Sequence, residues 1–148
     1  MSRMEKDFDR WNEKKKWIHA ANFNDFVNER EVWWCALGFN VGVEADGKHD
    51  NFERPVLILR KFNKKSVLVI PLTLKIKDNP YHITGEHNSQ KFAAVISQVR
   101  LVSTNRLLRL IYRMDSEVFE RIQSGVGEMI VQNRPPLSRG PRRPHGHN

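Results

Sequence analysis

The chain has 148 residues, 39% of them hydrophobic at a mean hydropathy of −0.60, and a formal net charge of +8. That length suits one domain able to bury about 70% of its unfolded surface, and no apolar run approaches the roughly 20 residues that a bilayer-spanning helix needs. A single cysteine, Cys35, excludes an intramolecular disulfide or a cysteine zinc cluster and reads as a small core hydrophobe in a reducing compartment.

The first residues, "MSRMEKDFDRWNEKKKW", are charged from the third position and lack the apolar stretch of a signal peptide, so a cytoplasmic location is expected. Met4, Phe8, Trp11 and Ile18 recur at helical spacing, which predicts an amphipathic helix over residues 4–20 that docks by its aromatic face. Residues 22–30, "NFNDFVNER", read as a second short helix or a loop. The run from Val32 to Leu37, "VWWCAL", is continuously aromatic or branched and stops at Gly38, as a buried strand does. Within it at least one of Trp33 and Trp34 must be core. Residues 42–53, "GVEADGKHDNFE", carry the turn formers Asp46 and Gly47 and make a connection long enough to be functional.

"PVLILRKF" and "KSVLVIPLT" follow as two strands joined by a short hairpin at Asn63 and Lys64, with Pro71 placing an edge or a strand end near it. "FAAVISQVRLV", residues 92–102, reads as one further strand of imperfect alternation. Ser103 or Thr104 opens a turn, "LIYRM" is a last strand, and Asp115 or Ser116 caps a helix with Val118, Phe119, Ile122, Val126, Met129 and Ile130 on one face. Gly125 and Gly127 weaken that helix late in its course. Residues 134–148 hold four arginines and no acid, so residues 1–133 keep 21 basic against 17 acidic groups, or +4. Four prolines and two glycines keep this tail from building a core, leaving a solubilising appendage or a loose contact for phosphates; His145 and His147 lack a further metal ligand nearby. Five short strands with a helix at each end predict a small, strongly curved β-barrel with the helices outside.

The pieces "VWWCALG", "GVEADGK", "RPVLIL", "VLVIPLT" and "VISQVRLVSTNRLLRLI", in that order over about residues 31–125, resemble the MazF/PemK family of toxin endoribonucleases. The resemblance implies an α+β, mainly β fold: an SH3-like barrel of five to seven strands. It divides the chain into an N-terminal helical extension (1–30), the barrel with its C-terminal helix (31–133) and the basic tail (134–148). It also implies a homodimer, a cognate antitoxin that competes for the RNA groove, and metal-independent cleavage of single-stranded RNA without a cofactor.

By the same resemblance, Arg54 and Thr73 act on the scissile phosphate. Attack by a ribose 2'-hydroxyl builds extra negative charge on the phosphorane, and a guanidinium, permanently charged and bidentate towards phosphate oxygens, suits that charge. Pro55 biases Arg54 towards an extended backbone and so fixes where its side chain starts. Some family members carry Arg and Asp as acid and base on the "VISQ" strand, where this chain has Val95 and Ser97. What takes the 2'-hydroxyl proton is left open: His49, with an ordinary pKa of about 6.5, is one candidate, and Glu44, Glu53 and His82 are its rivals. Lys48, Lys75 and Arg100 are candidates for phosphate contacts, Phe52 for base stacking, and Ser97 and Gln98 for hydrogen bonds to base edges or sugar. Two alternatives stand beside this reading: a non-catalytic single-stranded RNA binder, and a gyrase-binding poison, which the lack of any aromatic residue after Phe119 disfavours.

Overall fold

Strict alternation in the first three strands gives the sheet a core on each face. In β1 (Glu31–Ala36), β2 (Glu53–Lys61) and β3 (Ser66–Thr73), Val32, Leu57, Leu59, Ile70 and Leu72 point into one apolar cluster. Trp33, Cys35, Val56, Ile58, Val67 and Val69 point into another. Side chains alternate across a strand with period two, so a strand buried on both faces must be apolar throughout, which is why these segments read as continuous runs. Trp33 is the buried tryptophan, its indole N–H donating to Glu31 Oε1 at 3.0 Å, while Trp34 is half-buried. Cys35 is wholly buried, and burial pushes its thiol up to about 12.

The computed structural model describes residues 7–20, 26–38 and 53–132. Outside them lie Met4, the Asp46–Gly47 turn, Glu44, Lys48, His49, Phe52 and the tail with His145 and His147. The remaining strands are β4 (His82–His87), β5 (Gln90–Val95), β6 (Arg100–Ser103) and β7 (Leu107–Arg113). Pairing is antiparallel in the order β4-β5-β3-β2-β1-β7, with β6 also on β3. The α+β, mainly β class is as the sequence predicts, and the seven strands are the upper end of the five to seven that the resemblance implies, two more than periodicity picks out. Among the described residues the sheet is not closed, because its end strands β4 and β7 do not pair.

Residues 92–102 are not one strand. Between the pairs Leu72↔Ala94 and Val69↔Arg100, β3 advances three residues while the facing chain advances six. The excess is taken up by a 3-10 turn, Ile96–Gln98, opposite Ile70 and Pro71. Pro71 is therefore not on an edge strand, and it lies two residues before the end of β3. On one side it pairs with Val56, and on the other it stands where the β6 ladder gives way to β5, a place where its missing N–H costs no ladder bond. The β2–β3 hairpin is held by Asn63 Oδ1, which accepts from the backbone N–H of Lys65 at 2.8 Å and of Ser66 at 3.0 Å. The β4–β5 hairpin turns in two residues, Asn88 and Ser89, at φ 49° and 67°.

α1 (Phe8–Ala20) docks through Trp11 and Ile18, both 4% exposed, whereas Phe8, expected on the docking face, is 52% exposed. Trp11 lies on Gly38, whose φ of +70° and lack of a side chain admit the ring. α2 (Ser116–Val131) is capped by Asp115, which accepts from the Glu117 N–H at 3.1 Å. It buries Phe119, Ile122, Gly125 and Val126; Ile130, expected on that face, lies in the last turn beyond the core and is 72% exposed. Gly125 is where α2 crosses closest to β4, and a side chain there would run into Ile83 Cδ1. Gly125→Ala should therefore lower stability by about 1 to 3 kcal/mol despite its better helix propensity, as measured by the urea midpoint. Gly127→Ala, facing open space, should not.

Candidate active site

The β2–β3 ladder pairs Val56 with Pro71 and Leu57 with Ile70. Continuing that register two residues sets Arg54 opposite Thr73, on the same face of the sheet by the alternation of the two strands. Arg54 also pairs with Cys35 of β1, and its Nε donates to the Leu72 carbonyl at 3.2 Å, which holds the guanidinium against the end of β3. Thr73 Oγ1 accepts from the Lys75 N–H at 3.1 Å. A hydroxyl has one proton and two lone pairs, so that contact leaves the O–H able to donate.

Both residues line a cavity of about 640 Å³. Its apolar wall is Val32 and Trp34 of β1, Pro55 of β2, Leu72 of β3, Phe92 of β5, and Ile111 and Tyr112 of β7, with Leu74 just past β3. Glu53, Lys75 and Gln90 are its further polar members. A few polar groups on an apolar, aromatic concavity is the usual composition of a ligand site. Tyr112 stacks on His87 of β4 with ring centroids 3.6 Å apart and planes 7° from parallel, so the two end strands of the sheet meet through rings. Burial pushes the Tyr112 phenol up to about 12, so it keeps its proton and stays a donor at neutral pH.

Glu53 is only 4% exposed, and Arg109 Nη2 lies 2.7 Å from its Oε1, charge against charge rather than as an aligned hydrogen bond. The two meet diagonally across β1, where Ala36 pairs with Glu53 and Trp34 with Arg109, and the Arg109 guanidinium lies 5.2 Å from the centre of the Trp34 ring. No linear reading nominates that pair, nor Phe92, Tyr112, His87 or Gln90, because each joins strands distant in the chain.

Of the residues nominated by the sequence, Arg54, Thr73, Glu53 and Lys75 come together in this cavity. Ser97 and Gln98 sit in the 3-10 turn and Arg100 begins β6, and none of the three is in its wall. His82 begins β4, also outside the wall; burial, and then Lys77, hold its imidazole below the usual histidine range. Among the described residues no group of three or more His, Cys, Asp or Glu converges as metal ligands would, and no helix is long and apolar enough to cross a membrane.

Residues 28–130 match the model of a family described as PemK-like, MazF-like toxins of type II toxin-antitoxin systems. The chain belongs to this family. Among curated proteins none matches it. The fold of this PemK/MazF-like chain is similar to that of the Deinococcus radiodurans MazF crystal structure, at a TM-score of 0.59 and 14% identity over 75% of this chain and 100% of the other. It is similar also to the Mycobacterium tuberculosis toxin MazF-mt6, at 0.53 and 16% over 68% and 96%. A MazE–MazF complex from Deinococcus radiodurans gives 0.53 and 11% over 76% and 100%. The matched residues span β1 to most of α2 and leave α1 outside.

The Glu53–Arg109 pair generates a test. Arg109→Ala leaves a nearly buried carboxylate without its cation and should cost about 1 to 3 kcal/mol in the urea midpoint. Adding Glu53→Gln should recover part of that loss, since a neutral amide needs no counter-charge.

Proposed function

We propose that the protein is the toxin of a type II toxin-antitoxin system and cleaves single-stranded RNA without a metal. The observation that carries this reading is the placement of Arg54 and Thr73 at facing positions on the rim of an aromatic cavity, in a chain of the PemK/MazF family. The ribose 2'-hydroxyl loses its proton to a base and attacks the adjacent phosphorus, and the P–O5' bond breaks as O5' takes up a proton from solvent, giving a 2',3'-cyclic phosphate and a 5'-hydroxyl end. Arg54 meets the charge that grows on the non-bridging oxygens. Donors aimed at developing charge are often the largest catalytic contribution. Thr73 adds a neutral donor to the same phosphate. The apolar wall takes a base beside that phosphate, and Lys48, Phe52, Lys75, Ser97, Gln98 and Arg100 are proposed as RNA contacts.

His49, five residues before Arg54, is proposed as the base, and Glu53 is its rival from inside the wall. The protein works in the cytoplasm as a homodimer restrained by a cognate antitoxin. Support for such a partner is the MazE–MazF complex of Deinococcus radiodurans, which shares this fold.

Incubation with a random-sequence single-stranded RNA pool in excess EDTA should give cuts at a short shared motif with the ends named above. Arg54→Ala should lower the rate about 10²- to 10³-fold, and Thr73→Ala, a neutral donor of roughly half the strength, about 10- to 30-fold. An intact pool still retained by the protein would sink the nuclease and favour a non-catalytic RNA binder, which Val95 and Ser97 also fit. A base must be unprotonated to act, so activity should rise with pH through about 6.5. That limb should vanish in His49→Ala and persist in Glu53→Gln; a limb that survives His49→Ala rules His49 out as the base.

A further inference from the structure

α1 lies outside the residues that match the family, yet it is fastened to the end of the sheet from which Arg54 emerges. Trp11 packs with Ala36 and on Gly38, and Ala36 pairs with Glu53, the neighbour of Arg54. Cations and rings interleave along this junction. In the cavity wall Arg109 lies over Trp34 at 5.2 Å. Arg106 lies over Trp11 at 5.7 Å while donating to the Ala36 carbonyl at 3.0 Å, and Lys15 lies over the same ring at 5.9 Å. Lys14 lies over Trp17 at 4.9 Å, and Trp17 turns 55% of its surface to solvent. The ring–cation pairs thus occur beside the cavity at Trp34, at the α1 junction at Trp11 and on the solvent side of α1 at Trp17.

Helical spacing also sorts the charges of α1. Arg10, Lys14 and Trp17 fall at i, i+4 and i+7 on one side, bordered by Asp9 and Glu13, of which Glu13 holds Lys16 at 3.7 Å, while Lys15 turns to the opposite flank over Trp11. Asp7 accepts from the Arg10 N–H at 3.0 Å, and its other carboxylate oxygen lies 4.0 Å from the Arg10 guanidinium, a half-exposed pair of little strength. A half-exposed indole among lysines offers a single strand what it needs: a flat surface for a base and ammonium groups for the phosphates.

We propose that the side of α1 carrying Arg10, Lys14 and Trp17 is a second binding surface for single-stranded RNA, continuing the strand held at Arg54 and Thr73. The inference rests on the RNA reading of the cavity. Charge complementarity selects the occupant, because two cations beside an exposed aromatic ring match a polyanion that carries bases. α1 thereby lengthens the footprint, raising affinity for long RNA without changing the chemistry.

The test uses the full chain and fluorescence anisotropy with 2'-O-methyl RNA, which lacks the attacking hydroxyl, at lengths of about 6 and 25 nucleotides. Arg10→Ala/Lys14→Ala should weaken the long oligomer about tenfold at low salt and lower the slope of log K against log salt by about 1.4, at 0.7 per phosphate contact. Trp17→Ala, an exposed change that leaves the lysines and Trp11 in place, should also cost about tenfold on the long oligomer. Neither should alter the short one. Equal binding of the long oligomer by all three proteins overturns the inference, and loss of polyglutamate binding alone would assign the surface to an acidic protein. A parent chain that binds neither RNA overturns the cavity reading as well. Binding of the long RNA through α1 without cleavage of unmodified RNA would keep this inference and sink the nuclease.

Discussion

One register decides the geometry of this molecule: the pairing of Val56 with Pro71 in the β2–β3 ladder. From it follow the facing positions of Arg54 and Thr73, and also the sorting of side chains between the two apolar clusters. A slip of one residue would exchange the faces, sending Leu57 and Leu59 into the space filled by Val56 and Ile58. The site is therefore positioned by the same constraint that stabilises the core. The Arg54 contact with the Leu72 carbonyl adds a side-chain tie where the backbone ladder ends.

β3 bears most of the architecture because it changes partners. Its first half carries β6 and its end carries β5, and the change falls at Pro71, the residue that cannot donate to either. The 3-10 turn opposite gives the chain room to step from one ladder to the next. Near the mouth of the site the balance is electrostatic. A carboxylate as enclosed as Glu53 loses several kcal/mol of hydration, offset by the Arg109 guanidinium, which in turn lies on the Trp34 ring.

The sequence made the doubly buried strands easy to read, since β1, β2 and β3 leave few polar residues to interrupt them. It hid β4, "HITGEH", where Ile83 alone is fully buried and the two-residue turn uses Ser89 instead of the expected glycine. It also hid the break after Val95, because the cause is a proline in another strand. The cap at Asp115 was legible from local chemistry, whereas the exposure of Ile130 depends on where the core ends. In the site, Arg54 and Thr73 were found through the order of motifs. Glu53 with Arg109, and His87 with Tyr112, depend on which strands become neighbours, which no periodicity records.

The end strands of the sheet approach each other through the flat faces of His87 and Tyr112, not through a backbone ladder. Backbone ladders hold neighbouring strands at a nearly fixed spacing of about 4.8 Å, while side chains come in many thicknesses. The gauge of the cavity is thus written in two replaceable rings. Thinner or bulkier residues at 87 and 112 would bring β4 and β7 closer or hold them further apart without a backbone ladder to oppose the change.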